Sequence, residues 1–389
     1  MRVSIFADVD TGLNPYLILF KKALERRGFK VSLERRLTLR WLVSKGKACD
    51  CIHIQWLNQA YIPSIPDINV RIIKRLIDTR LIIALLQMIR LIHFTLVLLF
   101  ARMQGKTIVY TVHDLDEYQK QSLRGIILIR MAHYIVFFLS HSIHVHNRYS
   151  LDLIETRYKI KRGICVIPHG NYIGFYPNKI TKSQARRKLG LPEGAFVYLF
   201  LGLIRPYKGL EDLFAAFKSI ESPELRLLVA GRVFGAGSYE AAIKQICRED
   251  SRIRLVTEFI SDEYMQFYMN ACDIFVLPYK HITTSGAASL ALSFGRPIIA
   301  PAITSFPEVV TPESGILYDA SKPDGLVSAL AEAKTRSWSE CKVFDYAHQF
   351  DWEKLGPQLS ALYEKQIHKK TIYKMKFQKE QSIRSSSKY

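Results

Sequence analysis

Short apolar runs alternate along this chain with segments in which apolar residues recur every three or four positions. The first pattern is typical of buried β-strands and the second of amphipathic helices. Predicted strands of the first half are residues 2–10, 29–33, 50–56, 107–114, 142–147 and 165–170. Predicted strands of the second half are residues 195–204, 225–232, 252–259, 273–279, 296–301 and 315–319. Predicted helices between the latter are residues 209–219, 238–247, 262–271, 286–294 and 322–334.

Strands that alternate with helices form parallel, doubly wound sheets, so the pattern predicts an α/β protein with two Rossmann-like domains. We expect an N-terminal domain over residues 1–170 and a C-terminal domain over 171–351, which begins with the turn-rich connection 171–194. An amphipathic helix (352–368) and a basic, disordered tail (369–389) follow. Ligands of such sheets bind at the carboxyl ends of the strands. The two domains are therefore expected to face each other across a cleft.

Composition excludes several classes of protein. The chain has 389 residues, 49% hydrophobic and 12% aromatic, which excludes a disordered protein and a small disulfide scaffold. Its net charge of +20 is uneven, because residues 1–170 hold 26 basic and 12 acidic side chains whereas 171–368 hold 22 of each. No nucleic-acid-binding motif accompanies this charge, so an anionic membrane surface is favoured over nucleic acid as the partner.

Cysteine and histidine spacing predicts neither disulfides nor a metal site. The six cysteines form no CxxC pair and are interpreted as reduced thiols of a cytosolic protein. His144 and His146 alternate along one strand without an acidic partner at metal-ligand spacing. The start of the chain has too short an apolar run for a signal peptide. We therefore expect a cytoplasmic location.

Two long apolar runs, 81–100 and 125–139, lie in the basic half. Arg90 and His93 fall near the middle of the first run, where a charge is costly in a membrane-spanning helix. Two interpretations remain: a helix with an apolar face in the membrane interface, or a fully buried core helix. The presence of two such runs favours membrane apposition, so we expect a peripheral protein on the inner face of the cell membrane.

A basic turn follows the predicted strand 195–204, in the stretch GLIRPYKG. Gly202 permits a tight strand-to-helix turn, and Arg205 and Lys208 stand together before the next helix. Free N–H groups at a helix start favour an anion, so the turn is a candidate diphosphate site. A solvated basic turn without a ligand is the alternative interpretation.

A second candidate anion site follows the strand 273–279. Thr284 and Ser285 suit a helix cap, and Gly286 lets a phosphate approach the backbone closely. An ordinary N-capped helix would show the same residues. The pattern alone leaves both interpretations open.

In order along the chain, GLIRPYKG, LLVAGR, ACDIFVLPY and SGAASLALSFGRPIIAP resemble the nucleotide-sugar domain of the two-domain (GT-B) glycosyltransferases, close to family 4. TVHD and VIPHG resemble the acceptor domain of the same enzymes, so the resemblance covers about residues 1–368. It implies that Arg205 and Lys208 hold the donor diphosphate and that Ser285 and Gly286 add backbone contacts. The implied donor is a nucleoside diphosphate sugar, which is a co-substrate, and no cofactor is implied.

The sequence departs from family 4 at two glutamates that lie eight positions apart. Counting back from Gly295, these positions hold Ile282 and Leu290. The retaining mechanism of the family therefore cannot be transferred to this chain. The missing pair makes the chain similar to mannosyltransferases of exopolysaccharide and lipid-linked glycan assembly, some of which invert. That similarity favours GDP-mannose as donor and a lipid-linked glycan or polysaccharide as acceptor.

An inverting displacement needs a general base near the acceptor hydroxyl. The strand 107–114 delivers His113 and Asp114 into its loop, and these are the candidate catalytic residues. A sugar or phosphate contact is a second interpretation of His113, and a satisfied histidine at a strand end is a third.

Five further residues are expected to line the acceptor pocket. They are Asp8, Gly12 and Asn14 in the first loop, and His53 and Trp56 at the end of the third predicted strand. An aromatic side chain at such a place can stack on a sugar ring. Asn14 also suits the N-cap of the helix that follows.

Two classes of function remain open. The first is a hexosyltransferase acting on a lipid-linked or polysaccharide acceptor at the cytoplasmic membrane face, and the retained Arg205, Lys208 and Ser285 favour it. The second is a non-catalytic, membrane-associated relative that acts as a binding or scaffold subunit, which the missing glutamates favour. Because basic side chains and helix starts already neutralise a diphosphate, we expect the enzyme to be metal-independent.

Overall fold

The computed structural model describes residues 1–7, 14–57, 60, 80–115, 123–235 and 237–364. The chain divides into two compact units. The N-terminal unit comprises Met1–His146, Ser150–Pro168 and the chain from Trp352 onward, and the C-terminal unit comprises Asn147–Tyr149 and His169–Asp351. Of the predicted features, Asp8, Gly12 and the tail 369–389 lie outside the described residues.

Six parallel strands form the sheet of the N-terminal unit, in the order β2-β1-β3-β4-β5-β6. They are β1 (Arg2–Phe6), β2 (Lys30–Glu34), β3 (Cys51–Ile54), β4 (Thr107–Val112), β5 (Ser142–Val145) and β6 (Ile164–Val166). The helices between them are α1 (Pro15–Glu25), α2 (Leu39–Val43), α3 (Arg80–Met103), α4 (Leu123–Leu139) and α5 (Arg148–Tyr158), with a short 3-10 helix at Lys45–Ala48. A C-terminal helix (352–364) belongs to the same unit.

The start of α1 follows local sequence rules. Asn14 caps it by accepting a hydrogen bond from the Leu17 amide at 3.3 Å, and Pro15 occupies the first helical position. Gly28, in the left-handed region at φ +83°, turns the chain from α1 toward β2.

The two faces of this sheet bury separate cores. Apolar residues of α2, α3, α4 and α5 pack on one face, together with Ile52, Ile54 and Tyr110 of the strands. Residues of α1 and of the C-terminal helix pack on the other face. Alternate strand residues point to opposite faces. The sheet is therefore doubly wound, as the sequence predicts.

The sheet of the C-terminal unit also has six parallel strands, in the order β12-β11-β10-β7-β8-β9. They are β7 (Phe196–Leu201), β8 (Leu225–Ala230), β9 (Ile253–Val256), β10 (Ile274–Val276), β11 (Ile298–Pro301) and β12 (Gly315–Tyr318). The α-helices are α6 (Lys182–Leu189), α7 (Leu210–Lys218), α8 (Gly237–Arg248), α9 (Asp262–Ala271), α10 (Gly286–Ser293), α11 (Phe306–Val309), α12 (Gly325–Thr335) and α13 (Glu340–Ala347). Short 3-10 helices occupy Pro206–Lys208 and His348–Phe350.

The segment 171–194 is more than a turn-rich connection, because it contains α6. Thr181 and Gln184 form a reciprocal capping box at the start of this helix. Gly190, in the left-handed region at φ +61°, ends it. The many turn residues of the segment obscure these short-range signals.

The order of the strands identifies where each sheet can bind a ligand. Strand order reverses between β1 and β3 in the N-terminal unit and between β7 and β10 in the C-terminal unit. In doubly wound sheets, ligands bind beyond the carboxyl ends of the strands at such a reversal. The loops that follow β3, β7 and β10 carry Trp56, the pair Arg205 and Lys208, and Ser285.

One outer surface of the N-terminal unit is unusually apolar. On α3, the side chains of Leu85, Ile89, Ile92 and Leu96 are each more than half exposed, and on α4 Phe138 is 76% exposed. The interpretation of residues 81–100 as a fully buried core helix is therefore wrong. Among the described residues, one helix, Ile82–Met103, is long and apolar enough to cross a membrane, and 22% of its most apolar stretch is buried.

Candidate active site

In the C-terminal unit the loops after β7 and β10 touch. Gly209 has φ +69°, and a Cβ there would lie 2.0 Å from the Pro278 carbonyl oxygen, so only glycine permits this approach. The approach brings the Lys208 Nζ within 2.9 Å of the Tyr279 hydroxyl and 4.4 Å of the centre of its ring. The two strand ends therefore form one cluster rather than two separate anion sites.

Tyr279 connects Lys208 with the start of α10. Burial raises the pKa of the Tyr279 hydroxyl, and a hydrogen bond with the Ser285 side chain opposes that shift. Ser285 caps α10, with its Oγ accepting from the Ala288 amide at 3.2 Å. Thr284 Oγ1 lies 3.3 Å from the Asn147 amide nitrogen, which also donates to the Thr283 carbonyl at 2.8 Å.

Gly286 opens α10 beside two residues of the 169–172 segment. A Cβ at Gly286 would lie 3.3 Å from the Tyr172 hydroxyl and 3.8 Å from the His169 Nε2. His169 Nδ1 donates to the Gly170 carbonyl at 2.7 Å. Burial lowers the pKa of His169 to about 4, against a partial opposing effect of that hydrogen bond. His169 is thus a neutral imidazole next to the helix start.

Arg205 is held by an aromatic ring rather than by a carboxylate. Its guanidinium carbon lies 5.2 Å from the centre of the Phe234 ring, and that of Arg232 lies at the same distance. Its Nε is buried and makes no hydrogen bond to the described residues. Arg205 and Lys208 are both half-buried, so neither side chain is a fully solvated loop cation.

The positions of the two missing family 4 glutamates are part of the apolar core. Ile282 is 7% exposed and Leu290 is 8% exposed, and both pack in the core of the C-terminal unit. The two replacements are therefore accommodated as hydrophobic packing. Neither position presents a polar group to a ligand.

In the N-terminal unit, the carboxyl ends of β3 and β4 bring His113 against Trp56. The two rings stack with centroids 4.2 Å apart and an interplanar angle of 11°. His113 Nε2 lies 2.8 Å from the side-chain amide of Gln55. Tyr16 and His146 complete the aromatic surroundings, at 5.1 and 5.2 Å between ring centroids.

Asp114, the second candidate catalytic residue, has an exposed side chain. Its backbone carbonyl lies 3.3 Å from the Nε2 of His133, a buried histidine of α4. The acidic residues Asp116 and Glu117, just behind it in the sequence, lie outside the described residues.

Two predicted acceptor residues have structural roles in the N-terminal unit. His53 is fully buried and lies 2.7 Å from both the Tyr363 hydroxyl and the Thr111 hydroxyl, and burial places its pKa well below the ordinary value. It cannot line an open pocket, because its side chain is enclosed in the interior of the N-terminal unit. Asn14 uses its side-chain oxygen to cap α1.

Sequence reasoning missed Gln55, Thr111, Tyr172 and Tyr279 as parts of these clusters. Gln55 and Tyr279 each come just after a buried strand, which is the one signal that could have identified them. Thr111 and Tyr172 carry no local signal. Among the described residues, no three metal-ligating side chains gather in a group.

A cavity of about 710 Å³ adjoins the cluster of Lys208, Tyr279 and Ser285 in the C-terminal unit. It lies between α7 and α12 and shares Tyr279 with that cluster. Lys280 and Asp212 form an ion pair across its wall, with the charged atoms 3.0 Å apart.

Comparison with known proteins identifies the C-terminal unit. Residues 181–349 match the family described as glycosyl transferases group 1. A GDP-mannose:glycolipid 4-beta-D-mannosyltransferase of Xanthomonas campestris pv. campestris is 30% identical over 161 residues, which are 41% of this chain and 45% of that protein. A D-inositol 3-phosphate glycosyltransferase of Corynebacterium efficiens is 29% identical over 214 residues, 51% of this chain and 50% of that protein. The chain spans about half the length of these curated relatives.

Solved structures match nearly the whole chain in fold. Sucrose-phosphate synthase from Thermosynechococcus elongatus superimposes with a TM-score of 0.72 at 18% identity, over 95% of this chain and 99% of that one. HepE of Anabaena, in complex with UDP and glucose, gives 0.68 at 15% identity, over 94% and 100%. Residues 181–349 are thus similar to the glycosyl transferases group 1 family, and the chain has the two-domain GT-B fold that the sequence resembles.

Proposed function

We propose that this protein is a glycosyltransferase that moves a hexose from a nucleoside diphosphate sugar to a lipid-linked or polysaccharide acceptor at the cytoplasmic face of the membrane. The observation that carries this proposal is the joined cluster of Lys208, Tyr279 and the start of α10, in a domain of the glycosyltransferase group 1 family. One cation, one buried phenol and the free amides of a helix start suit a diphosphate.

Arg205 supplies a second cation to the same donor site. Its buried Nε has a proton to donate, and a phosphate oxygen is a strong acceptor for it. Arg205, Lys208 and the helix start together neutralise the diphosphate without a bound metal. We accordingly propose a metal-independent enzyme, which retains its turnover after treatment with EDTA.

GDP-mannose is the donor that the relatives favour. The Xanthomonas campestris protein takes mannose from GDP-mannose to a glycolipid in β linkage, as its name states. A β-mannosyltransferase has no need of the glutamate pair of a retaining family, and this chain replaces that pair with the buried Ile282 and Leu290. We therefore propose a mannosyl donor, a glycolipid-like acceptor and an inverting outcome.

His113 and Asp114 are the proposed catalytic residues of the N-terminal unit. Asp114 presents an exposed carboxylate, and His113 is held between Trp56 and Gln55. Trp56 offers a flat apolar ring to a sugar of the acceptor. Both catalytic residues follow β4, at the sheet edge where ligands of this fold bind.

The apolar outer surface of α3 and α4 is the proposed membrane contact. The same α3 helix buries Leu91, Phe94 and Leu98 against the sheet, so its opposite face can lie in the interface while the helix stays in the domain. The surrounding 1–170 half carries the excess basic charge that attracts anionic lipid. This arrangement favours a peripheral protein over a membrane-spanning one.

Calorimetric titration with GDP, UDP and their hexose derivatives tests the donor site. We expect GDP-mannose to bind and Lys208→Ala to weaken binding by about 10-fold or more, since a charge-assisted contact contributes about 1.5–3 kcal/mol. Tyr279→Phe should weaken it by a smaller factor, because it removes a neutral hydroxyl and leaves the charge of Lys208 in place. Lys342→Ala, which removes an exposed lysine of the same unit, is the matched control. Equal affinity in Lys208→Ala and the control would exclude this donor site.

The alternative function, a non-catalytic relative that binds membrane and partners, is favoured by the burial of Ile282 and Leu290. It predicts that no sugar is transferred to any acceptor, whether or not the protein binds the nucleotide. Release of GDP from GDP-mannose in the presence of a membrane glycolipid fraction distinguishes the two functions.

A further inference from the structure

A chain of hydrogen bonds runs through the interior of the N-terminal unit beneath His113. It begins at the Ile167 carbonyl oxygen, which lies 2.9 Å from the Nε2 of His144. The Nδ1 of His144 lies 3.0 Å from the Thr111 hydroxyl, and that hydroxyl lies 2.7 Å from the Nε2 of His53. The Nδ1 of His53 lies 2.7 Å from the Tyr363 hydroxyl.

The carbonyl at one end determines which group donates and which accepts in every hydrogen bond of this series. A carbonyl only accepts, so His144 donates from Nε2, and in a neutral imidazole its Nδ1 must then accept from the Thr111 hydroxyl. That hydroxyl has a single proton, so its oxygen accepts from the Nε2 of His53. The Nδ1 of His53 in turn accepts from the Tyr363 hydroxyl. Every link then has one donor and one acceptor.

Burial favours this direction over the reverse. The opposite direction would still leave the Nε2 of His144 facing a carbonyl, so His144 would need protons on both nitrogens. His144 is 1% exposed and lies beside His53, and a cationic imidazole is disfavoured in such a place. The pKa of His53 is also held well below its ordinary value, by burial first and then by His144.

Gln55 connects this series of hydrogen bonds to His113. Its side-chain amide lies 3.3 Å from the Nε2 of His53 at one end and 2.8 Å from the Nε2 of His113 at the other. The structure places the amide nitrogen beside His53, which would set two donors opposite each other. Turning the amide over exchanges two nearly isosteric ends. Its oxygen then accepts from His53, and its nitrogen donates to His113.

We propose that Thr111 is a positioning residue which, through His53 and Gln55, fixes the proton of neutral His113 on Nδ1. The Nε2 of His113 then accepts from Gln55. A histidine in this state donates from Nδ1 and is not the proton acceptor of the transfer. That role belongs to the exposed carboxylate of Asp114. The division of roles between His113 and Asp114 rests on the proposed function, whereas the position of the proton does not.

Imidazole nitrogen shifts in the full-length protein, labelled with ¹⁵N-histidine, test the proposal, because they separate protonated nitrogens from lone-pair nitrogens. His113→Gln identifies the His113 signals by their loss. We expect the wild type to carry the His113 proton on Nδ1 and the His53 proton on Nε2. Thr111→Ser keeps the hydroxyl and should preserve both. Thr111→Val removes it with little change of shape, which frees His53 and Gln55 to reverse and shifts proton population at His113 toward Nε2.

A wild-type His113 with its proton on Nε2 would overturn the proposal even if Thr111→Val did not fold. So would a Thr111→Val protein whose His113 signals match those of Thr111→Ser. Transfer assays separate this result from the proposed function. Absence of transfer with the expected ¹⁵N pattern contradicts only the function, and transfer with the reversed pattern contradicts only the proton assignment. If transfer activity and the expected ¹⁵N pattern are both observed, Thr111→Val should lower kcat while KM for the donor is unchanged.

Discussion

The two units of this protein share one architecture but differ in where they place apolar residues. The N-terminal unit leaves Leu85, Ile92 and Leu96 of α3 in contact with solvent. The C-terminal unit buries Ile282 and Leu290, at the two positions where the family 4 glycosyltransferases that it resembles have glutamates. In a parallel sheet covered by helices, the inner face of a helix must be apolar, whereas its outer face is free to vary. The residues on the outer faces of the helices therefore depend on the surroundings of a unit, and the residues at the strand ends depend on the chemistry of its site.

The sheets also differ in where strand order reverses. The reversal between β7 and β10 gathers Arg205, Lys208 and Ser285 at one edge of the C-terminal unit. The reversal between β1 and β3 places Gln55 and Trp56 at the corresponding edge of the N-terminal unit. Basic side chains lie at the first edge, and aromatic rings and histidines lie at the second. The same fold thus carries basic side chains at the strand ends of one unit and stacked aromatic rings at those of the other, which the proposed function assigns to the donor and the acceptor.

The largest expected effect tests whether the C-terminal unit can accept a carboxylate where it now buries an apolar residue. Leu290→Glu should lower the free energy of unfolding by about 2–5 kcal/mol, because it removes core packing and buries a charge. The control Leu290→Met should cost less than about 1.5 kcal/mol, since it keeps the volume. Denaturant unfolding measures both. A stable Leu290→Glu protein would mean that position 290 can open to solvent and that the C-terminal unit does not require an apolar residue there.

The next effect concerns the outer surface of the N-terminal unit. Ile92→Glu combined with Leu96→Glu should reduce partition onto anionic vesicles by roughly 100-fold or more, since each inserted side chain contributes about 1.5–3 kcal/mol. High salt should weaken wild-type binding without abolishing it, because insertion is not screened. Vesicle flotation measures the binding.

Phe259→Glu, at an aromatic residue of the C-terminal unit that is 75% exposed, is the matched control for the membrane experiment. It should leave partition unchanged. Equal binding by the α3 double variant and the wild type would show that the exposed apolar face does not insert.

The smallest effect is a pH dependence of stability in the C-terminal unit. The pKa of His169 falls from 6.5 to about 4 on folding. Between these values the unfolded chain binds a proton that the folded chain does not, so the free energy of unfolding falls as pH is lowered from 6.5 toward 4. The slope from this one group is at most about 1.4 kcal/mol per pH unit.

His169→Gln should flatten the acid limb of unfolding curves by that contribution, while the control His281→Gln, at an exposed histidine, should not. His53 of the N-terminal unit, whose pKa is also lowered, acts in the same direction and should keep part of the acid limb in both variants. An acid limb unchanged by His169→Gln would remove His169 as a titrating group.

Much of the fold follows from local pattern. The strands Cys51–Ile54, Thr107–Val112 and Phe196–Leu201 lie inside their predicted ranges, because continuous apolar runs of this length are buried strands in a covered parallel sheet. The short helix Lys182–Leu189 was missed, since its apolar residues are few and its signal consists of caps alone. The place of the C-terminal helix beside α1 has no local signal, because it depends on contacts between residues far apart in the chain.

Some features of the candidate site likewise follow from local sequence, and others depend on contacts between distant residues. The amino-acid pattern alone shows which residues follow the strands. It therefore identifies Arg205, Lys208, Ser285 and His113 as candidates, because chain direction in a parallel sheet decides which loops share an edge. That His53 is a core residue follows from the packed molecule and not from the local sequence. Packing pairs Ile5 with His53 in register and brings Tyr363, 310 positions away, to the His53 ring. Alternation along a strand leaves open which face is closed by a distant helix, and that closure is a property of the packed molecule alone.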